Sequence, residues 1–429
     1  MKNYSFVDYT DRYHSVMQFD KNKNVFVHRW YPFVEGYSKE FINDILNELP
    51  FIPTCALEPF CGSGTTPVEL QDHGIKCYSF EVSPFMYLLS KVKLERSYDK
   101  DVFDSYVAAL ESSLSECRSD IRDLERLPFG RTVVRNTESK KWNFHDSAID
   151  GLLDIRHAIK TVVPDVIYRN LFTIALASIL LQASNLFRNG KCLSYKKGWE
   201  NRILNRIAVH DLFFEKLNTI FSEDISIISQ MEPTVRNSDY CLFGDVRENI
   251  SLIEDGAVDL VITSPPYLNS RDYTDIYMLE LKVLELVNSY EDLQNLRKST
   301  LRSHVQVRYD RICPIDNQRL KLCLATMSAQ STDSWNIGIG NMICGYFEDM
   351  EHLFREFARV VKNGGFIYFN VANSAYFGVE IPVDFIIADI AENCGFHVCE
   401  IRKARNLKTS PQQSGKIGKL HESVIVMQR

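Results

Sequence analysis

Residues Thr54–Gly74 read TCALEPFCGSGTTPVELQDHG. A short apolar run ends in an acid, a loop with two glycines follows, and a helix opens at Thr65. The next stretch, Ile75–Pro84 (IKCYSFEVSP), reads as a second strand ending in another acid. Strand, glycine turn, helix and strand make a β-α-β unit, the opening of a parallel sheet with helices on its faces. Further strands are expected at YCLFGDV from Tyr240, at VDLVITSPPY from Val258, at FIYFNVAN from Phe366, near His397–Arg402, and at ESVIVM from Glu422. Helices are expected over Tyr273–Val287, over EDMEHLFREFARVVKNGG with the Gly364–Gly365 pair as its stop, and over Val383–Cys394. The fold class is α/β: a Rossmann-like, doubly wound, mostly parallel sheet with a helical insertion.

The pattern divides the chain into core at 1–93, a mainly helical insertion at 94–239, core at 240–288, a loop-rich insertion at 289–345 that includes NIGIGN, and core again at 346–429. With 45% hydrophobic and 24% charged residues the composition is that of a globular protein. MKNYSFVDYTDRYHS has no apolar stretch of a signal peptide, and Leu171–Leu181 is short for a membrane span, so a buried helix and a cytoplasmic location are expected. The eleven cysteines are scattered with no CxxC pair. That argues for a reducing compartment and against a structural metal site.

In open α/β sheets ligands sit at the carboxyl ends of the strands, where the topology reverses. Gly62 and Gly64 let the backbone turn tightly beside a ligand, and the helix from Thr65 presents N–H groups to an anion. Glu81 can accept from both hydroxyls of a ribose, and Asp245 from the amino group of an adenine. Singly, each acid is as well read as a cap or loop residue. The loop Ser264-Pro265-Pro266-Tyr267 is rigid because each proline fixes its own φ and restricts the residue before it. The Ser264 hydroxyl and the Pro265 carbonyl are thereby aimed at one point, with Tyr267 placed to stack on a base. An exocyclic amino group held by two such acceptors would have its lone pair drawn out of the ring toward an electrophile.

EPFCGSGTT, FEVSP, Gly244-Asp245 and TSPPY together resemble the S-adenosylmethionine-dependent DNA methyltransferases that modify exocyclic amino groups, giving N4-methylcytosine or N6-methyladenine. HRWYPFVEGYSKEF (His28–Phe41) resembles the segment of that family that closes over the cofactor's methionine end, and HESVIVM resembles its antiparallel carboxyl-terminal strand. The resemblance implies that Tyr31, Pro32, Phe33, Glu58, Phe60, Gly62, Gly64, Thr65, Thr66, Glu81 and Asp245 bind S-adenosyl-L-methionine. It implies that Ser264, Pro265, Pro266 and Tyr267 hold a base flipped out of double-stranded DNA, with no metal. Serine at the first clamp position is more typical of the N4-cytosine enzymes, and a cognate restriction endonuclease is an expected partner. Adenine N6 methylation, an RNA or protein substrate, and a non-catalytic DNA-binding subunit are the alternatives. The oligomeric state is not legible. A ring-carbon methyltransferase would need a nucleophilic thiol in a Pro-Cys pair, whereas Cys313-Pro314 has the reverse order and Cys61 reads as packing.

The net charge of −7 leaves DNA contact to local basic clusters at Arg188–Arg206, Arg297–Lys321 and Arg402–Lys419. Candidate recognition residues are Asn185, Arg188, Lys191, Tyr195 and Trp199 in the first insertion. In the second they are Arg302, His304, Arg308, Tyr309, Arg311 and Trp335.

Overall fold

In a computed structural model, the structure describes residues 2–34, 36–135, 139–189, 192–232, 234–269, 272–309, 314–330, 334–407 and 417–429, with the backbone alone at 330 and 334–337. Lys191, Arg311, the Trp335 side chain and most of the basic loop after Leu407 lie outside the described residues.

The sheet has eight strands: β1 Phe6–Asp8, β2 Cys55–Glu58, β3 Lys76–Glu81, β4 Cys241–Phe243, β5 Val258–Thr263, β6 Val361–Ala372, β7 His397–Asn406 and β8 His421–Gln428. Their order across the sheet is β1-β7-β8-β6-β5-β2-β3-β4. β8 runs antiparallel to both its neighbours, and the other pairings are parallel. From β2 the chain builds outward through β3 and β4, then returns to lay β5 on the other flank of β2. The reversal therefore falls between β2 and β5, and the carboxyl ends of these two strands, Glu58 and Thr263, flank the crevice where such sheets bind ligands. β5 is buried along its whole length, VDLVIT, as a central strand covered on both faces must be.

Among the helices are α1 (Lys39–Glu48), α2 (Thr65–Asp72), α3 (Pro84–Leu94), α4 (Asp146–Val162), α5 (Val166–Ala183), α6 (Ser334–Val360) and α7 (Val383–Asn393). The 94–239 stretch holds helices Lys100–Leu114, α4, α5 and Arg206–Lys216, but its polar joint at Arg188–Lys197 is a β-hairpin pairing Leu186–Asn189 with Cys192–Tyr195. The insertion shares one continuous apolar core with Trp30, Tyr31, Val68, Phe85 and Met86. α5 is long and apolar enough to cross a membrane, yet Leu171, Phe172, Ile174, Ala175, Leu176, Ile179 and Leu180 are wholly buried in this core.

Three expectations are corrected. The 289–345 stretch is not loop-rich: it holds helices Tyr290–Ser299 and Gln318–Gln330 and the start of α6. NIGIGN lies inside α6 because Ile339, Met342, Ile343, Tyr346, Phe347 and Met350 continue one buried stripe, and burying that stripe outweighs the helix cost of the glycines. Gly364–Gly365 does not stop a helix but lies within β6, where a Cβ at Gly365 would come within 3.2 Å of the Asp259 carbonyl. The Tyr273–Val287 helix is broken into a 3-10 turn, Tyr273–Tyr277, and a short helix, Met278–Val283. Glu285 turns left-handed at φ 58°, held there by Lys160 at 2.7 Å. The edge strand β1 had no counterpart in the sequence reading.

Candidate active site

At the topological switch a cavity of about 600 Å³ is lined by residues of the glycine loop, the ends of β3 and β4, the SPPY loop and both insertions. Of the predicted residues, Pro32, Phe33, Glu58, Phe60, Gly62, Thr65, Thr66, Glu81, Asp245, Ser264, Pro265, Pro266 and Tyr267 line it. Tyr31 and Gly64 do not. Tyr31 is buried, its hydroxyl bonded to Glu280 and Arg188, and it faces an adjoining pocket of about 360 Å³. Gly64, at φ 80°, is the left-handed residue that starts α2, and a Cβ there would lie 3.0 Å from Ser90 Oγ.

The loop geometry follows from its glycines. Gly62 has φ 54°, and an added Cβ would meet the Phe33 ring at 3.1 Å, so the amino-terminal segment lies directly against this turn. Glu81 secures the loop from β3, accepting from Gly62 N at 2.7 Å and Ser83 N at 2.8 Å. Beneath the loop, the buried Lys93 ammonium donates to the Ser63 carbonyl at 3.0 Å.

Glu58 is the polar centre of the floor. Its Oε1 accepts from Phe60 N at 3.0 Å and Thr263 Oγ1 at 2.5 Å. Its Oε2 accepts from Tyr37 at 2.7 Å and Thr66 at 3.0 Å. Burial outweighs these donors and pushes the Glu58 carboxyl up to about 7; burial does the same to Glu81, again to about 7. Lys93 is driven the other way by burial, down to about 7. Asp245 lines the cavity, but its carboxylate is paired with Arg247, and Arg247 also reaches Asp349 at 2.8 Å.

The SPPY loop is tied to the antiparallel side of the sheet. Tyr267 donates to Glu422 at 2.6 Å, and the Asn370 amide donates to Glu422 at 2.8 Å, to Tyr267 at 2.7 Å and to Ser264 at 3.2 Å. Tyr273 accepts from Tyr267 N at 3.1 Å. None of Tyr37, Lys93, Arg247, Asn370 or Glu422 was singled out from the sequence. Asn370 and Glu422 did leave a signal, since each is a polar residue inside an otherwise apolar strand, FIYFNVAN and HESVIVM.

Much of the basic surface expected for DNA is spent inside the protein. Arg302 pairs with Asp349, Arg297 with Asp272 and Asp275, Arg206 with Asp154, and Arg402 with Glu48. Arg188 packs its guanidinium 5.2 Å from the Tyr277 ring centre. Asn185, Trp199 and His304 are buried too, and His304 lines the cavity. Such side chains are desolvated and neutralised by their own fold, which sequence spacing does not disclose. The cations of these clusters that remain exposed among the described residues include Lys197, Arg202, Lys298, Arg308 and Lys419.

Residues 258–429, from β5 through the SPPY loop to β8, match the family model for N6/N4 DNA methylases. The match to that family covers this carboxyl-terminal part of the chain. Over its length the chain is similar to the Type II methyltransferase M.BsoBI of Geobacillus stearothermophilus, 27% identical over 96% of this chain and 88% of the relative. It is similar also to the Type II methyltransferase M.AvaI of Nostoc sp. PCC 7120, 26% identical over 94% and 86%. A protein from Thermus thermophilus described as a candidate DNA modification methylase, solved with S-adenosyl-L-methionine, aligns with 43% of this chain and 53% of its own at 17% identity and a TM-score of 0.20. A likeness that slight bears no weight for the fold, which rests on the strand order above.

Proposed function

We propose that this protein transfers a methyl group from S-adenosyl-L-methionine to the N4 amino group of a cytosine flipped out of duplex DNA, as the modification enzyme of a Type II restriction system. The observation that carries the reading is that Ser264–Tyr267 and the Glu58–Thr66 loop line one cavity, so an amino group and a methyl donor can meet there.

The cavity fits the cofactor on the chemistry of its donors and acceptors. Gly62 leaves room for backbone approach, Glu81 offers a carboxylate acceptor to ribose hydroxyls, Glu58 forms the floor with its acceptor sites filled from its own fold, and Phe33 and Phe60 supply apolar walls. Asp245 reaches the adenine end only by sharing its carboxylate with Arg247. When bound, the cofactor supplies an electrophilic methyl carbon on a sulfonium.

The chain's own residues prepare the nucleophile. The Ser264 hydroxyl and the Pro265 carbonyl accept the two amino hydrogens, which turns the nitrogen lone pair out of conjugation. The prolines hold that geometry without entropy to lose. Glu422 and Asn370 grip the Tyr267 hydroxyl, so its ring is a fixed platform for the base. Serine at position 264 favours cytosine over adenine. Leu181 and Arg188 of the first insertion and the Leu296–His304 stretch of the second both reach the cavity, so both insertions border the flipped base. The exposed Lys197, Arg202, Lys298, Arg308 and Lys419 meet DNA phosphates.

The test is to incubate the protein with unmethylated duplex DNA and methyl-labelled S-adenosyl-L-methionine, then identify the labelled nucleoside by mass spectrometry, with Tyr267→Ala as control. N4-methyldeoxycytidine is expected. N6-methyldeoxyadenosine would keep the clamp and overturn the base; label on RNA or protein alone would overturn the substrate class.

A further inference from the structure

Holding the amino group does not dispose of its proton. An exocyclic amino nitrogen that gains a methyl group carries a positive charge until one hydrogen leaves, and a base enclosed by protein is poorly placed to give it to bulk water.

The wall of the cavity contains a path for it. Ser264 Oγ lies 3.3 Å from the Tyr267 hydroxyl, which donates to Glu422 Oε1 at 2.6 Å. Glu422 is 1% exposed and Asn370 2%. Because an ionised carboxylate only accepts, Glu422 fixes the orientation of the Asn370 amide, whose nitrogen also donates to Ser264 Oγ at 3.2 Å. That leaves Ser264 one lone pair for the base and its own proton for Tyr267. Arg405 pairs with the other Glu422 oxygen, which leaves Oε1 turned to Tyr267 and Asn370.

We propose that Glu422 is the final acceptor of the proton released from the target amino group, delivered through the Ser264 hydroxyl and the Tyr267 phenol. This rests on the clamp reading of Ser264–Tyr267. The nitrogen lone pair forms the bond to the methyl carbon while the carbon–sulfur pair leaves with sulfur. The N–H pair then returns to nitrogen as its proton moves to Ser264 Oγ, the Ser264 proton moves to Tyr267, and the Tyr267 proton moves to Glu422 Oε1. Sulfonium and carboxylate begin as a charge pair and end neutral, so charge balances. Burial and the Glu422 charge raise the Tyr267 phenol well above its ordinary range, so Tyr267 gives and takes a proton together and does not stand as a phenolate. Glu422 touches no substrate and acts through its two partners.

The experiment is single-turnover methyl transfer by the full chain on a duplex it methylates, followed both by rapid quench and by difference infrared spectroscopy. A carboxylic-acid C=O band is expected to rise with methyl transfer in the wild type, to shift on ¹³C-glutamate labelling, and to be missing in Glu422→Gln. Tyr267→Phe, which keeps the ring, and Glu422→Gln should each slow transfer about 100-fold, with the double variant no slower than either. Flipping, read from the emission of a 2-aminopurine placed next to the target base, should be unchanged in Tyr267→Phe. A labelling-insensitive spectrum in an active wild type, or a Tyr267→Phe variant at wild-type rate, overturns the relay and leaves the clamp standing. A wild type that labels no DNA overturns the clamp reading and the relay with it.

Discussion

Thr263 Oγ1 donates to Glu58 Oε1 at 2.5 Å, joining the last residue of β5 to the last residue of β2 across the point where the sheet reverses direction. One residue further on is Ser264. This buried hydrogen bond thus extends the β2–β5 pairing to the point where the glycine loop and the SPPY loop begin, with Thr263 wholly buried and Glu58 nearly so.

Thr263→Val keeps the shape of the side chain and removes the donor. One acceptor site on Glu58 is left unmet, at a cost of about 1–3 kcal/mol. Thermal unfolding should detect this as a lowered Tm. Because the bond also joins the starts of the glycine loop and the SPPY loop, kcat should fall by about 10-fold or more. A variant with a lowered Tm and an unchanged kcat would show the bond to be structural only.

The titration of the site has a sign that can be checked. Glu58 is raised from 4.5 to about 7, so between these values the folded chain holds more protons than the unfolded one, and stability falls as pH rises through that window. At its upper end the loss from Glu58 amounts to about 3 kcal/mol. Lys93 is lowered from 10.5 to about 7, so from pH 7 to 10.5 the unfolded chain holds more protons and stability rises with pH. Denaturant unfolding across pH should show a minimum near neutrality. Glu58→Gln should remove about half of the acid limb, because Glu81 is raised to about 7 as well and supplies the rest, and Lys93→Met should flatten the alkaline limb, each leaving the other limb in place.

The sheet was legible because its strands carry the period and composition of buried β structure and end in glycine, proline or acid. The lining positions of the glycine loop and of SPPY were legible because special backbone residues advertise themselves. What could not be read was tertiary. Tyr31 and Gly64 sit within the right segments, but their orientation is set by partners far along the chain, Glu280 and Ser90. Arg302 and Arg402 looked like phosphate ligands because spacing does not reveal that Asp349 and Glu48 wait for them. NIGIGN looked like a loop because its glycines are local, whereas the apolar stripe that carries α6 through them is not.

Gly62→Ala asks whether the loop needs its glycine for the ligand or only for folding. The φ of 54° and the Phe33 ring 3.1 Å from an added Cβ together should cost about 1–3 kcal/mol in stability. Since Gly62 also lines the cavity, S-adenosyl-L-methionine affinity, measured by calorimetry, should drop by about 10-fold beyond that. Retained affinity in a destabilised protein would assign Gly62 to folding alone.

Arg188 is where the first insertion grips the core. Its guanidinium, in the hairpin, contacts the Tyr31 hydroxyl, the Pro32 carbonyl at 3.3 Å and Glu280 at 3.2 Å, and Glu280 is 1% exposed. Arg188→Met leaves a buried carboxylate without its cation, which costs about 3–5 kcal/mol. Glu280→Gln in that background removes the stranded charge, so the double variant should be more stable than Arg188→Met alone. The same pair should separate stability from chemistry. Arg188 and Pro32 both line the cavity, so the double variant, restored in Tm, should still bind S-adenosyl-L-methionine more weakly than the wild type if the hairpin holds the Pro32–Phe33 segment over the site. Wild-type affinity in the rescued double variant would show that the segment closes without help from the insertion.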